Sequence, residues 1–415
     1  MRKELSALLL AVPWLACAQS HDAHMPQAAT HARPAKPVIA VGAALDPQGR
    51  LWLARVENQQ LFVAHSADNG VHFSTPVRVT PEPEAIAADG ENRPKIAVSA
   101  DGVVLLSWTQ ALPQNYAGNI RFARSVDGGK TFAAPITLND DGRITSHRFD
   151  SLAIDGKGRV AVAWLDARDR DAAREKDIAR GRDAGKDKGG AFSGVSVYTA
   201  QSTDNGASFS ANRRLTMHTC ECCRTSMAWS NAGPVVFWRN LYDVNTRDFA
   251  FAQLDGGAVR RATDDEWQID ACPHHGGGLA VDGRGAQHLV WYTNGKNRHG
   301  LFYKRIEGAA QNLNLGESSP MSIGNAAAQA GHPDVVAAGN LVLLTWREFN
   351  GKVYSAHAMR SDDGGASWHP PIRLAEATGA ADYPLPLTDG QRALVVWNAA
   401  AEGLRVLPVA SGGPK

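Results

Sequence analysis

Seven tryptophans, Trp52, Trp108, Trp164, Trp238, Trp291, Trp346 and Trp397, sit in or close a short apolar run, and successive members stand 56, 56, 74, 53, 55 and 51 residues apart. Recurrence at so regular an interval means stacked copies of one unit. The runs (LWLARV, VVLLSW, VAVAW, PVVFW, HLVW, LVLLTW, ALVVW) are too short for helices and rich in Val, Leu and Trp, so they read as buried strands. Across 92–138, PKIAVSADG supplies a first strand and turn, VVLLSW a second strand, IRFARS a third and PITL a fourth; VIAVGAALDPQG, LWLARV, LFVAHS and VRVT repeat the order. Four strands per unit predict an all-β propeller of four-stranded antiparallel blades spanning 37–410. Seven blades are expected, or six if Trp397 and YPLPL share a blade with Trp52. A charged insertion at 167–193 accounts for the 74-residue gap. The last unit (YPLPL, ALVVW, LRVLPV) ends without a fourth strand, which residues 30–38 or so would supply to close the ring; 411–415 form a short tail.

A second repeat lies between third and fourth strands: Ser66-x-Asp68-x-Gly70-x-x-Phe73, Ser125-x-Asp127-x-Gly129-x-x-Phe132, Ser202-x-Asp204-x-Gly206-x-x-Phe209 and Ser361-x-Asp363-x-Gly365-x-x-Trp368. In such a turn the Asp accepts from backbone amides, the Gly takes a positive φ and the aromatic ring plugs between strands. These are Asp-boxes, and with them the chain resembles the sialidase (neuraminidase) superfamily over roughly residues 37–410. The pattern Cys220-x-Cys222-Cys223-Arg224 with Asp265-Glu-Trp267-Gln-Ile269-Asp-Ala-Cys272-Pro273 resembles a subgroup of secreted bacterial sialidase-like proteins. A shared fold does not assign chemistry.

Met1-Arg-Lys followed by an apolar stretch ending Leu15-Ala16-Cys17-Ala18 has the basic head, short core and small-residue exit of a signal peptide over 1–18, too short for a membrane span. Cleavage before Gln19 gives a periplasmic or secreted protein; a lipid anchor on Cys17 is the alternative. With 43 basic and 42 acidic residues, nothing steers the chain globally to nucleic acid or membrane, and a monomer is expected. Residues 19–36 are rich in Ala, Pro and His without periodicity, so they read as a flexible lead rather than a metal site. The 167–193 insertion mixes both charge signs with no apolar stripe, which suits a solvated, partly helical flap or, alternatively, a lid.

Propellers bind ligands at the mouth of the central channel. One side chain from the start of each first strand gives Arg93, Arg148, Arg224, His275, His332 and Tyr383 in blades two to seven. The ends of second strands add Gln110, Asp166, Arg239, Tyr292, Arg347 and Asn398. So many charges in equivalent places must be paired or ligand-facing. Either the arginines bond Glu221, Asp243, Glu348 and loop carbonyls, or Arg93, Arg148, Arg224, Arg239, Arg347, His275 and His332 form a cationic pocket for an anionic, sugar-like ligand. The sialidase resemblance implies an Arg clamp on the substrate carboxylate, a Tyr nucleophile relayed by a Glu, and an Asp acid/base. Arg239 then resembles a clamp residue, Arg347 a looser one, and Tyr383 the nucleophile. The departures are the missing Phe/Tyr-Arg-Ile-Pro, Arg224 where the relaying Glu is expected, and seven units for six. Only Glu221, Asp382 and Asp166 are placed to serve Tyr383 as its carboxylate.

Cys220, Cys222, Cys223 and Cys272 are expected to cluster where blades four and five begin. Export favours disulfides, with Cys220–Cys223 and Cys222–Cys272 as the pairing of least strain. The alternative is a copper or zinc site, since Met217, His218, His274 and His275 add further donors. Two function classes therefore stand: an anionic-glycan binder, with exo-sialidase-like hydrolysis as its enzymatic form and no cofactor, or a metal-handling or protein-interaction scaffold.

Overall fold

The computed structural model describes residues 38–181, 194–243, 245–307 and 318–411. The expected signal peptide, Cys17, the flexible lead, all but the last residue of the ring-closing strand expected near 30–38, the second half of the insertion and nearly all of the tail lie outside the described residues.

Every repeat unit becomes one antiparallel sheet whose strand order follows the chain. Among the described residues six sheets have four strands and the last has three, which makes a seven-bladed propeller. First strands run Gly42–Leu45, Lys95–Val98, His147–Ile154, Ser226–Ser230, Gly278–Val281, Gly331–Ala338 and Leu385–Thr388. Each packs on the next around the axis, and the last packs on the first, so the ring is closed. Residues just before the first strand strengthen that closure: Asn398 donates to the Ile39 carbonyl at 2.8 Å, and the Val41 amide to Asp382 at 3.2 Å.

The tryptophans explain the period. All seven are at most 1% exposed. Burying an indole is favourable only if its N–H keeps a partner. Each does: Trp52 donates to Asp46, Trp108 to Glu84, Trp164 to Asp166, Trp238 to Asn240, Trp291 to Asp265 and Trp346 to Glu348, while Trp397 uses the Asp382 carbonyl. Each blade thus carries a large ring between sheets and a polar group that fixes its orientation.

The four S-x-D-x-G turns fold alike. In the blade-two copy Ser125 Oγ donates to Asp127 at 2.7 Å, Asp127 accepts from the Thr131 amide at 3.0 Å, and Gly129 has φ +81°. A Cβ on Gly129 would stand 2.7 Å from the Trp52 ring of blade one, and one on Gly206 would stand 2.7 Å from Phe122 of blade two. Glycine is therefore required by both the backbone and the neighbouring blade. The insertion is helical over Arg168–Ala179 and is held by polar contacts: Asp169 accepts from Ser196 at 2.7 Å, and Arg168 reaches Asp166 at 2.9 Å.

Candidate functional site

The segments that lead into the first strands meet around Glu91, a residue that sequence reading did not select. It sits in the turn before blade two, where Asp89 accepts from the Glu91 amide at 3.2 Å and the Asn92 amide at 3.1 Å. From there the carboxylate reaches three other blades. One oxygen accepts from Arg224 Nη1 at 3.0 Å and lies 3.3 Å from His332 Nδ1; the other accepts from the amides of Arg224 at 3.0 Å and Gly276 at 3.1 Å. The only available signal was the Asp-Gly-Glu-Asn turn two positions before Arg93, which a one-residue-per-blade sampling passes over.

Beside this hub runs a column of stacked rings from three blades. Tyr292 lies 4.2 Å from His275, His275 lies 4.3 Å from His332, and His332 lies 3.6 Å from Tyr383, each pair within 23° of parallel. Two glycines make room for it: a Cβ on Gly90 would be 2.2 Å from Tyr383, and one on Gly331 would be 2.9 Å from His275. Burial, then the His332 charge, pushes His275 well below its ordinary range; burial, then Arg347, does the same to His332. Both are neutral imidazoles at neutral pH. Because a carboxylate paired to arginine accepts, His332 Nδ1 carries the proton and Nε2 is left with a free lone pair. Tyr383 is pushed up by burial and by Glu91, so it holds its proton. Its hydroxyl makes no hydrogen bond among the described residues.

Arg347 flanks the column. Its guanidinium lies 4.8 Å over Tyr383 and 4.4 Å over Tyr354, and its hydrogen bond goes to the Ala381 carbonyl at 2.7 Å. It has no carboxylate partner among the described residues. Together with His275, Tyr292, His332 and Tyr354 it lines a cavity of about 390 Å³ whose described walls contain no acid. His275 Nδ1 is buried there without a partner. A hollow of about 520 Å³ lies near Arg261, Glu266 and Lys296, but those charges are paired, Arg261 with Asp248 and Lys296 with Glu266. The cavity at Arg347 combines volume with an unpaired cation and an unpartnered imidazole nitrogen.

The other expected residues are placed elsewhere. Arg239 is 1% exposed and donates to the carbonyls of Arg247, His275 and Tyr292 at 2.8–3.0 Å, stacked on Phe249 and Trp267, so it is closed to a ligand. Arg93 forks onto Asp382 at 3.0 and 3.1 Å, which also commits Asp382. Arg224 is closed by Glu91 and the Pro333 carbonyl rather than by Glu221. Arg148 lies over Phe149 at 4.9 Å, apart from the cavity wall, and burial lowers its pKa. Glu221 pairs with Arg170 of the helix. Asp166 belongs to a buried cluster in blade three, where His147 lies 3.1 Å from Asp141 and 3.7 Å from Asp166, with Arg168 across the same carboxylates. Neither acid attends Tyr383.

The cysteines do gather. Cys220 Sγ stands 3.6 Å from Cys222 and 3.8 Å from Cys223, and a second group joins Cys222, Cys272 and His274. All four thiols are free, so the expected Cys220–Cys223 and Cys222–Cys272 bridges are not formed in this structure. Cys220 is held well below its usual range by hydrogen bonds from Cys222 and Cys223, with Arg247 adding to the effect.

No protein-family model and no curated protein matches the chain. Among solved structures, a polysaccharide lyase of family PL25, an ulvan lyase, matches at a TM-score of 0.52 and 11% identity over 89% of this chain and 91% of that one, both alone and bound to -[GlcA(1-4)Rha3S]-. The Penicillium chrysogenum alpha-L-arabinanase complexed with arabinobiose gives 0.47 at 10% identity, covering 89% and 92% of the two chains. The likeness to the lyase is one of propeller fold.

Proposed function

We propose that this chain is an exported propeller that recognises a carboxylated or sulfated sugar in the cavity at Arg347. The carrying observation is Arg347 itself, a cation lying over two tyrosine rings with no ion-pair partner among the described residues. A guanidinium so placed offers parallel donors to a planar carboxylate or a sulfate, and the adjoining rings offer a face to a pyranose. The volume, about 390 Å³, suits one or two sugar rings. The ulvan lyase of like fold, bound to a glucuronate-containing repeat, agrees with this choice of ligand class.

The same groups are suited to elimination beside a uronate. Arg347 neutralises the carboxylate, the free Nε2 of His332 takes the adjacent carbon-bound proton, and Tyr383, which keeps its hydroxyl proton, delivers one to the departing glycosidic oxygen. Sialidase-type hydrolysis is less well served. It needs a carboxylate to draw the proton from Tyr383, and Glu91, the acid whose charge acts most on that tyrosine, is occupied by Arg224, Gly276 and His332.

The test is calorimetric titration with uronate-containing, sulfated and sialylated oligosaccharides, followed by ultraviolet assay for unsaturated uronate. Binding of uronates or sulfated glycans, lost in Arg347→Ala, supports the reading. Sialic acid release without unsaturated product selects hydrolysis instead, and absence of binding to any anionic sugar sinks the proposal.

A further inference from the structure

The cysteine cluster has a geometry of its own. Its sulfurs are 3.6 and 3.8 Å apart, against about 2.05 Å for a disulfide. Thiolates placed tetrahedrally at about 2.3 Å from one ion stand about 3.8 Å from each other. Cys220 thus already stands at ligand spacing from both Cys222 and Cys223, the three sulfurs lie within 4.8 Å of one another, and all three residues are buried. Their loop is fixed to the end of blade four's second strand by the Cys220 amide on the Arg239 carbonyl at 2.9 Å. Arg247 Nη1 lies 2.9 Å from Cys220 Sγ, a cation where a set of thiolates would leave excess negative charge.

A second set of donors continues outward. Cys222, Cys272 and His274 have ligand atoms within 4.8 Å of one another, and Cys272 and His274 are exposed. Cys222 belongs to both sets, so its sulfur stands between a buried position and an open one. The buried His147, Asp141 and Asp166 group is a poorer candidate, since Arg168 already supplies its cation.

We propose that Cys220, Cys222 and Cys223 bind a thiophilic d10 cation, Cu(I) or Zn(II), and that Cys222 shares it with an outer position completed by Cys272 and His274. The thiols release their protons to solvent as the ion binds, with no change of oxidation state. Sulfur donors suit both ions, and the three-sulfur inner set with a bridging thiolate suits Cu(I) in particular. The outer pair gives an arriving ion first contact, and the shared sulfur lets it pass inward without being fully released. Because Cys272 and His274 precede blade five while the other three precede blade four, an ion at the shared position also ties the two blades together.

The experiment uses the full mature chain, reduced and metal-free under anaerobic conditions. It is titrated with Cu(I) against a chromophoric Cu(I) chelator and, separately, with Zn(II) against a zinc chelator. Retention of either ion in at least equimolar amount is expected; a Cu(I) excess over Zn(II) identifies the ion. Cys272→Ser should keep the inner ion and lose the outer one, while Cys222→Ser should weaken binding about a hundredfold or more by removing the shared sulfur. If Cys222→Ser fails to fold by circular dichroism, the wild-type titration decides alone. Failure of the reduced wild type to hold either ion against its competitor overturns the proposal, as does binding unchanged in both folded variants.

Discussion

Arg239 and Arg347 stand at the same place in their blades, directly after the buried tryptophan that ends the apolar run of the second strand. In blade four the side chain is sealed, with three main-chain carbonyls as acceptors and two aromatic rings against it. In blade six the guanidinium meets one carbonyl and two tyrosines, and the rest of it faces a cavity. The difference comes from what the next blade presents. Blade five offers the free carbonyls of His275 and Tyr292 to Arg239, whereas blade seven offers Arg347 only that of Ala381, its acid Asp382 being already held by Arg93. Equivalent positions in a repeat protein therefore divide into those that lock blades together and those left open for a ligand.

The largest test of that division is Glu91, the hub on the locking side. Glu91→Ala leaves the Arg224 guanidinium buried without its carboxylate and the Gly276 amide without an acceptor, a loss of about 3–5 kcal/mol. Denaturant unfolding monitored by tryptophan fluorescence measures it; a loss below about 1 kcal/mol would show that Arg224 re-pairs, for example with Asp334, already 3.9 Å away. Next comes the direct contrast of the two arginines. Arg239→Ala strips donors from three carbonyls and should cost about 3 kcal/mol of stability. Arg347→Ala should change stability by less than about 1 kcal/mol yet weaken anionic-sugar binding about tenfold or more, as expected on loss of a charge-assisted contact. Equal stability losses in the two variants would erase the distinction.

Much of the fold was readable because it rests on local, repeated chemistry: a tryptophan per blade, a short apolar run around it, and a glycine turn in each S-x-D-x-G repeat. The seven blades follow from those marks. The site was readable only as a collection of candidates. Position within the repeat brought out Arg224, His275, His332, Tyr383 and Arg347, which do meet, but it could not separate Arg347 from Arg239, because pairing is decided by residues far away in the chain. Glu91 illustrates the limit: its partners are 133, 185 and 241 residues distant. The cysteines were legible as a cluster, but sulfur spacing, which bears on disulfide against metal, is a property of packing alone.

The smallest effect concerns pH and again sets the open region against a closed one. His275 and His332 are held well below 6.5, by burial first and then by neighbouring positive charge. The unfolded chain takes up protons there that the folded chain refuses, so the contribution of these histidines is fully present above about pH 6.5 and is lost as pH falls below it. His147 is the reverse case. Burial alone would lower it, but Asp141 and Asp166 raise it above 6.5, so its contribution is fully present below that value and lost as pH rises through the raised one. Folding stability measured by urea unfolding between pH 5 and pH 8 should therefore lose about 1 kcal/mol per histidine for each pH unit on the acid side. His332→Gln should make that acid limb shallower by its own share while leaving the neutral-to-alkaline side in place, and His147→Gln should do the opposite. An acid limb unchanged in His332→Gln would mean that Glu91 stabilises the imidazolium after all, and His332 could not then serve as the neutral acceptor at the cavity wall.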